Sequence, residues 1–190
     1  MTDVVVGPDG RGRCPWGAGP EDYQAYHDQE WGRPVRGDDQ LFERLSLEAF
    51  QSGLSWLTIL RKRPAFRAAF AGFEIARVAE FTEADVARLL ADAGIVRNRA
   101  KIGAVVANAR AALDLPDGLD ALVWAYAPRS TYRIIPGSSS EVPAIIPESV
   151  ALAKELKRRG FRFVGPTTAY AAMQACGLVN DHLAGCDFRL

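Results

Sequence analysis

Apolar residues along this chain recur at three- and four-residue intervals, the spacing that lines one face of an α-helix. No stretch sustains the alternation of a half-buried strand. From about Asp39 to Ser52, the residues Leu41, Phe42, Leu45 and Ala49 fall within an arc of about 100°, enough for one buried face. Helices are next predicted over Ser55–Arg63, closed by Pro64, which has no amide to donate, and over Ala65–Phe70. Thr82 followed by Asp85 marks a helix start, and Gly94 stands where a terminating glycine would. Ile102, Val105, Val106, Ala109 and Leu113 mark the following helix, and a short apolar helix covers Leu119–Tyr126. Residues 128–147 carry Pro136, Pro143, Pro147 and the run Ser138–Ser140, which predicts a long surface loop. Helices over Glu148–Arg159 and Pro166–Cys176 are each followed by a glycine, Gly160 and Gly177. Residues 1–13, rich in Gly, Asp and Arg, predict a loose leader. There is no internal repeat, and the fold class is all-α.

With 190 residues the chain can form one well-cored domain, or two small lobes sharing a cleft. A content of 48% hydrophobic and 24% charged residues excludes a disordered or fibrous protein. The 23 basic and 23 acidic residues cancel, so nucleic acid would be bound only where basic residues gather on one face. The N-terminus lacks the basic and apolar regions of a secretory signal, and no uncharged apolar run nears the roughly 18 residues of a membrane span. A cytoplasmic protein with no membrane partner is expected. Three cysteines cannot all pair within the chain, which favours a reducing compartment and leaves metal binding, reactivity or packing as their uses.

The two histidines each lie near a cysteine. Cys14 and His27 are separated by 12 residues near one end, and His182 and Cys186 by three near the other. Two thiolates and two imidazoles suit a tetrahedral zinc ion and would leave no position for water, so such a site would be structural. An ion there would pin two otherwise loose termini. The plainer alternative is four scattered polar residues. Cys176, within an apolar helix, fits a packing role.

Residues 93–101 read AGIVRNRAK between two helical patterns. A short turn entering a new helix exposes amides whose dipoles suit a phosphate, and Arg97, Arg99 and Lys101 add charge, with Arg110 further along. Contacts of this kind position a protein on DNA without reading sequence. A solvated basic turn between two helices is the alternative.

Glu48 stands at about −20° from Leu41, on the apolar side of its helix. Burying a carboxylate is costly unless a cation or several donors meet it. A salt bridge would satisfy it, and so would a ligand bringing positive charge. Trp56 follows closely, and Trp16, Tyr23, Tyr26 and Trp31 surround His27 in sequence. Their faces could sandwich a flat cationic heterocycle, or simply form core, as expected for Trp124.

Several motifs resemble a known family. They are Ala25-Tyr26-His27-Asp28 with Glu30-Trp31-Gly32, Leu47-Glu48, Gly53-Leu54-Ser55-Trp56, the 93–101 hairpin, and Gly160-Phe161 with Phe163-Val164-Gly165. The longest is the run from Met173 to His182, closed by Gly185-Cys186. Together they resemble the type I 3-methyladenine DNA glycosylases, from about Arg13 to Cys186. The resemblance implies an all-α helix-hairpin-helix DNA glycosylase fold, with zinc on Cys14, His27, His182 and Cys186 joining the N- and C-terminal segments. It implies a flexible leader over 1–12 and one domain of two helical lobes over 13–190, with the hairpin motif at about 84–113. It places Glu48 in catalysis and Tyr26, Trp56, Trp16 and Tyr23 around the base. Gln51, Gly53 and Leu54 would fill the gap left by a flipped nucleotide, and Gly94, Val96, Arg97, Arg99 and Lys101 would hold the backbone. The implied reaction is hydrolytic release of 3-methyladenine from double-stranded alkylated DNA by a monomer, without a lyase step. Asp114, Asp117 and Asp120 receive no role. Ala49 and Ser52 depart from the family's usual glycine and alanine, but both are small. A non-catalytic binder of damaged DNA on the same scaffold is the competing reading. A zinc hydrolase is disfavoured because four protein ligands leave no open position.

Overall fold

A computed structural model describes residues 3–129 and 134–190; residues 130–133 of the expected long loop lie outside the described residues. Nine α-helices carry the fold among the described residues: α1 (Glu21–Gln29), α2 (Asp38–Gln51), α3 (Trp56–Ala69), α4 (Ile75–Ala79), α5 (Glu83–Ala91), α6 (Arg99–Leu113), α7 (Gly118–Trp124), α8 (Pro147–Arg158) and α9 (Pro166–Ala175). Helix α2 runs through the centre and packs against α3, α7 and α9, while α4 lies along α6 and α8 along α9. The buried side chains of α2 are Leu41, Phe42, Leu45, Ser46, Leu47, Glu48, Ala49 and Phe50, so burial extends around most of the helix rather than one stripe. The apolar side chains of α2 to α9 meet in one continuous core, to which α1 contributes none.

Four expectations change. Pro64 does not end a helix: α3 passes through it without a break. Its missing amide removes one hydrogen bond, but Ile59 and Leu60 before it and Phe66 and Ala69 after it are buried in the core, which holds both halves on one axis. Gly94 is not the residue that closes α5. That helix ends at Ala91, and Gly94 sits in the following turn with its amide on Asp92 Oδ1 at 2.7 Å. Its start is as the sequence suggests, with the Thr82 amide donating to Asp85 Oδ2 at 2.9 Å. Helix α1 and the short α4 carry no legible stripe. Only Tyr26 and His27 of α1 are buried, and α4 has five residues.

The leader is the fourth change. Strand β1 (Val5–Val6) pairs antiparallel with β2 (Gly12–Arg13), Val5 opposite Arg13. The Gly12 amide donates to Asp187 Oδ2 at 2.6 Å, and the Asp187 amide returns a bond to the Gly12 carbonyl at 2.9 Å. Arg13 is only 3% exposed, gripped by Asp9 and Asp28 at 2.7 and 2.8 Å. Ion pairs and backbone pairing, invisible to a hydrophobicity pattern, bind this segment to the C-terminal tail.

Candidate active site and metal centre

Cys14, His27, His182 and Cys186, all buried, bring one ligand atom each to within 4.8 Å of one another. Cys186 Sγ lies 3.3 Å from His182 Nδ1 and 3.7 Å from His27 Nε2, and Cys14 Sγ lies 3.8 Å from His182 Nδ1. Ligand bonds of about 2.3 Å for sulfur and 2.0–2.1 Å for nitrogen give tetrahedral edges of about this length. The ring orientations are set from behind. His27 Nδ1 meets Asp28 Oδ1 at 2.8 Å, and His182 Nε2 meets the Trp31 carbonyl at 3.1 Å. In each ring the opposite nitrogen therefore faces the cluster, the arrangement that outer hydrogen bonds give metal-ligating histidines. The contact between the two sulfurs pushes the Cys14 thiol up and the Cys186 thiol down, and two thiolates this close need a counter-charge between them. A divalent cation would supply it. The donor set can hold a metal. Close packing of this site explains Gly17, where a Cβ would sit 2.3 Å from the His27 ring.

Beside this cluster opens a cavity of about 370 Å³. Its wall includes Trp16, Tyr23, Tyr26, Glu48, Gln51 and Trp56, all singled out in the sequence. The Tyr26 and Trp56 rings lie 5.3 Å apart and tilted by 43°, and Trp16 stands 5.1 Å from Tyr23. Glu48 is 6% exposed, and burial pushes its carboxyl up to about 8, opposed by the positive charge of Arg44 one turn earlier. Burial, together with the nearby Glu48 charge, raises Tyr23 and Tyr26 as well. The indole N–H of Trp56 is buried with no acceptor among the described residues. An aromatic slot with a buried carboxylate and a spare donor is suited to a flat, cationic, hydrogen-bonding ring.

Gln51, Ser52, Gly53 and Leu54 form a tight turn between α2 and α3, with the Leu54 amide on the Gln51 carbonyl at 2.7 Å. Gly53 has φ 83°, the conformation this kind of turn demands at its third position. Leu54 is thereby held outward at 41% exposure beside the cavity wall. The second protruding turn lies between α5 and α6. Asn98 caps α6 by accepting from the Lys101 amide at 3.1 Å. The amides of Val96 and Arg97 have no acceptor among the described residues, and the Arg97 side chain is exposed. Arg99 reaches Glu83 at 3.2 Å, and Arg110 is spent on the carbonyls of Ala79 and Phe81. Lys101 departs from its expected place at a phosphate: it is buried, with its ammonium on the carbonyls of Phe50 and Ser52.

A family model described as methyladenine glycosylase matches residues 16–190. The DNA-3-methyladenine glycosylase 1 of Escherichia coli K12 is 46% identical over 177 residues, covering 92% of this chain and 95% of that protein. The DNA-3-methyladenine glycosylase of Haemophilus influenzae is 41% identical, covering 92% and 96%. A solved structure of a 3-methyladenine DNA glycosylase I from Staphylococcus aureus, determined to explain 3-methyladenine recognition, superposes with a TM-score of 0.88 at 34% identity. It covers 94% of this chain and 96% of its own. The chain belongs to the methyladenine glycosylase family.

For a methyladenine glycosylase, sequence reasoning left out several cavity residues. Ala171 and Gln174 of α9 line it, as do Asp181, Leu183, Ser139 and Val142. Gln174 Nε2 donates to Asp181 Oδ2 at 2.9 Å, and the Tyr170 hydroxyl donates to the same carboxylate. The run from Met173 to His182 contained the signal for Gln174 and Asp181, but its metal ligand drew attention first. Ser139 and Val142 come from the long loop, where no pattern ties a residue to a distant cavity.

Proposed function

We infer that this protein is a base-excision glycosylase that releases 3-methyladenine from alkylated DNA. The observation that carries this reading is Glu48, a carboxylate buried in an aromatic cavity that offers it no direct partner of opposite charge among the described residues. Methylation at N3 makes adenine cationic, weakens the bond to its sugar and lets the base leave neutral. A cationic base in this slot favours the ionised form of Glu48, and that carboxylate, in a water-poor site, attracts the cation more strongly than water would and more strongly than it attracts ordinary adenine.

The remaining roles follow from position. The turn between α5 and α6 presents amides and Arg97 to the phosphate backbone. Leu54 enters the duplex where the lesion was stacked, and the flipped base settles between Trp56 and Tyr26, with Trp16 and Tyr23 closing the slot. The C1′–N9 bond breaks with its electron pair passing to the purine, and water adds at C1′ and releases a proton to solvent. No amine of the protein joins C1′, so there is no strand-cutting step. Cys14, His27, His182 and Cys186 would hold zinc, which with four protein ligands would close the fold and have no open position for the reaction. No helix among the described residues is long and apolar enough to cross a membrane. We place the enzyme in the cytoplasm as a monomer acting on double-stranded DNA, where a reducing milieu suits three free, buried cysteines.

Free base released from methylated duplex DNA, resolved by chromatography, tests the reading. Glu48→Gln should lose most excision, about 100-fold or more, while retaining its affinity for abasic DNA. Near-full activity in that variant would remove Glu48 from the mechanism, and no release by the unaltered protein would leave a binder of damaged DNA.

A further inference from the structure

Lys101 belongs to the turn that faces the DNA backbone, yet its charge points the other way. It lies in the first turn of α6 and is 8% exposed, and its ammonium donates to the Phe50 carbonyl at 2.9 Å and the Ser52 carbonyl at 2.6 Å. These carbonyls stand at the C-terminal end of α2, where helix carbonyls lack partners along the helix and the helix dipole favours a cation. They flank Gln51, which lines the cavity, and they form the base of the turn that presents Leu54. Glu48 sits one turn earlier on the same helix.

A second lysine makes the complementary connection. Lys62 of α3 donates to the carbonyls of Ala93 and Gly94 at 3.1 and 3.0 Å, inside the turn between α5 and α6. Helix α3 begins directly after the Leu54 turn. Both helices flanking that turn are therefore tied by ammonium groups to the hairpin, α2 through Lys101 and α3 through Lys62.

We propose that Lys101 is a positioning residue that braces the Gln51–Leu54 turn against the hairpin, so that seating the hairpin on the backbone fixes where Leu54 enters the duplex. Its backbone serves the phosphate-facing helix start and its side chain serves the wedge. Lysine suits the task because a compact ammonium with three donors can meet two carbonyls that diverge from a helix end. The proposal rests on Leu54 acting as the wedge.

The test is a double-mutant cycle of Lys101→Met and Leu54→Ala on two duplexes, one with 3-methyladenine opposite thymine and one with it opposite an abasic-site analogue, where no pair has to be broken. Lys101→Met should lower kcat/KM on the paired lesion about 30-fold, and on the unpaired lesion no more than about 3-fold. In the Leu54→Ala background it should have little further effect. The dependence of abasic-DNA affinity on salt should keep its slope, and free 3-methyladenine, followed by tryptophan fluorescence, should bind within about twofold of the unaltered protein. A slope reduced by about one would make Lys101 a phosphate ligand and overturn the proposal. Equal losses on the two duplexes, or an undiminished loss in the Leu54→Ala background, would reduce it to general structural support and overturn it as well. Full paired-lesion activity in Leu54→Ala would instead refute the wedge. If Lys101→Met does not fold, Lys101→Gln, which keeps one neutral donor, enters the same cycle with the same outcomes.

Discussion

Glu48 shows how one charge on the buried side of a helix bears on stability. Its proton is held more tightly in the folded chain, where the carboxyl titrates at about 8, than in the unfolded chain at its ordinary 4.5. The folded state then binds more protons across that interval, so this residue's contribution to stability falls as pH rises from 4.5 through 8. Glu48→Gln removes the penalty without changing shape. It should raise the melting temperature by several degrees at pH 9, on the order of 2 kcal/mol or more, and leave it unchanged at pH 4.5 or below. Thermal melts across that range measure it; a variant no more stable at pH 9 would show that the carboxylate is already compensated. This conflict was legible in the sequence, because a glutamate on an apolar stripe announces it. Lys101 was not legible in the same way. A lysine in a basic turn looks like a phosphate ligand, and only coordinates reveal that its side chain folds back onto carbonyls 49 and 51 residues away in the chain.

The elements divide by how far their purpose depends on local sequence. Helices α2, α6, α8 and α9 were readable from the helical spacing of their apolar residues, and the ends expected for α2, α8 and α9 were off by no more than one residue. Helix α1 was not, since its reason for being helical is to aim Tyr26 and His27 from a mostly polar surface. Pro64 misled because tertiary packing outweighs the loss of one amide bond. The hairpin between α5 and α6 separates two basic residues that the sequence grouped together. Arg97 is exposed and has no ion-pair partner among the described residues, whereas Lys101 is committed inward. Arg97→Ala should weaken binding to abasic and undamaged duplexes by a similar factor and reduce the salt slope by about one. Binding isotherms at several salt concentrations measure this, and an unchanged slope would take Arg97 off the backbone.

Across the whole molecule, the buried Cys/His cluster joins residues 14 and 27 to residues 182 and 186, and the cavity shares its wall with it through Cys14 and Leu183. Loss of the ion should therefore reach beyond the termini. Elemental analysis should find one zinc per chain, and chelation should lower the melting temperature by about 10 °C or more and weaken binding of free 3-methyladenine. A metal-free protein that melts and binds like the untreated one would defeat the ligand assignment. Donor chemistry made this site half-legible: two histidines, each near a cysteine, suggested it. That the pairs meet was beyond any pattern, because the meeting depends on α1 and on the path of the whole core between them. The β1–β2 ribbon, whose Gly12 exchanges hydrogen bonds with Asp187, completes the closure. In topological terms the polypeptide behaves as a ring fastened at one point. Its ends could be spliced near Gly12 and Asp187 and new ones opened at the exposed turn around Pro116 and Asp117, giving a circularly permuted protein whose beginning and end lie outside the cavity wall.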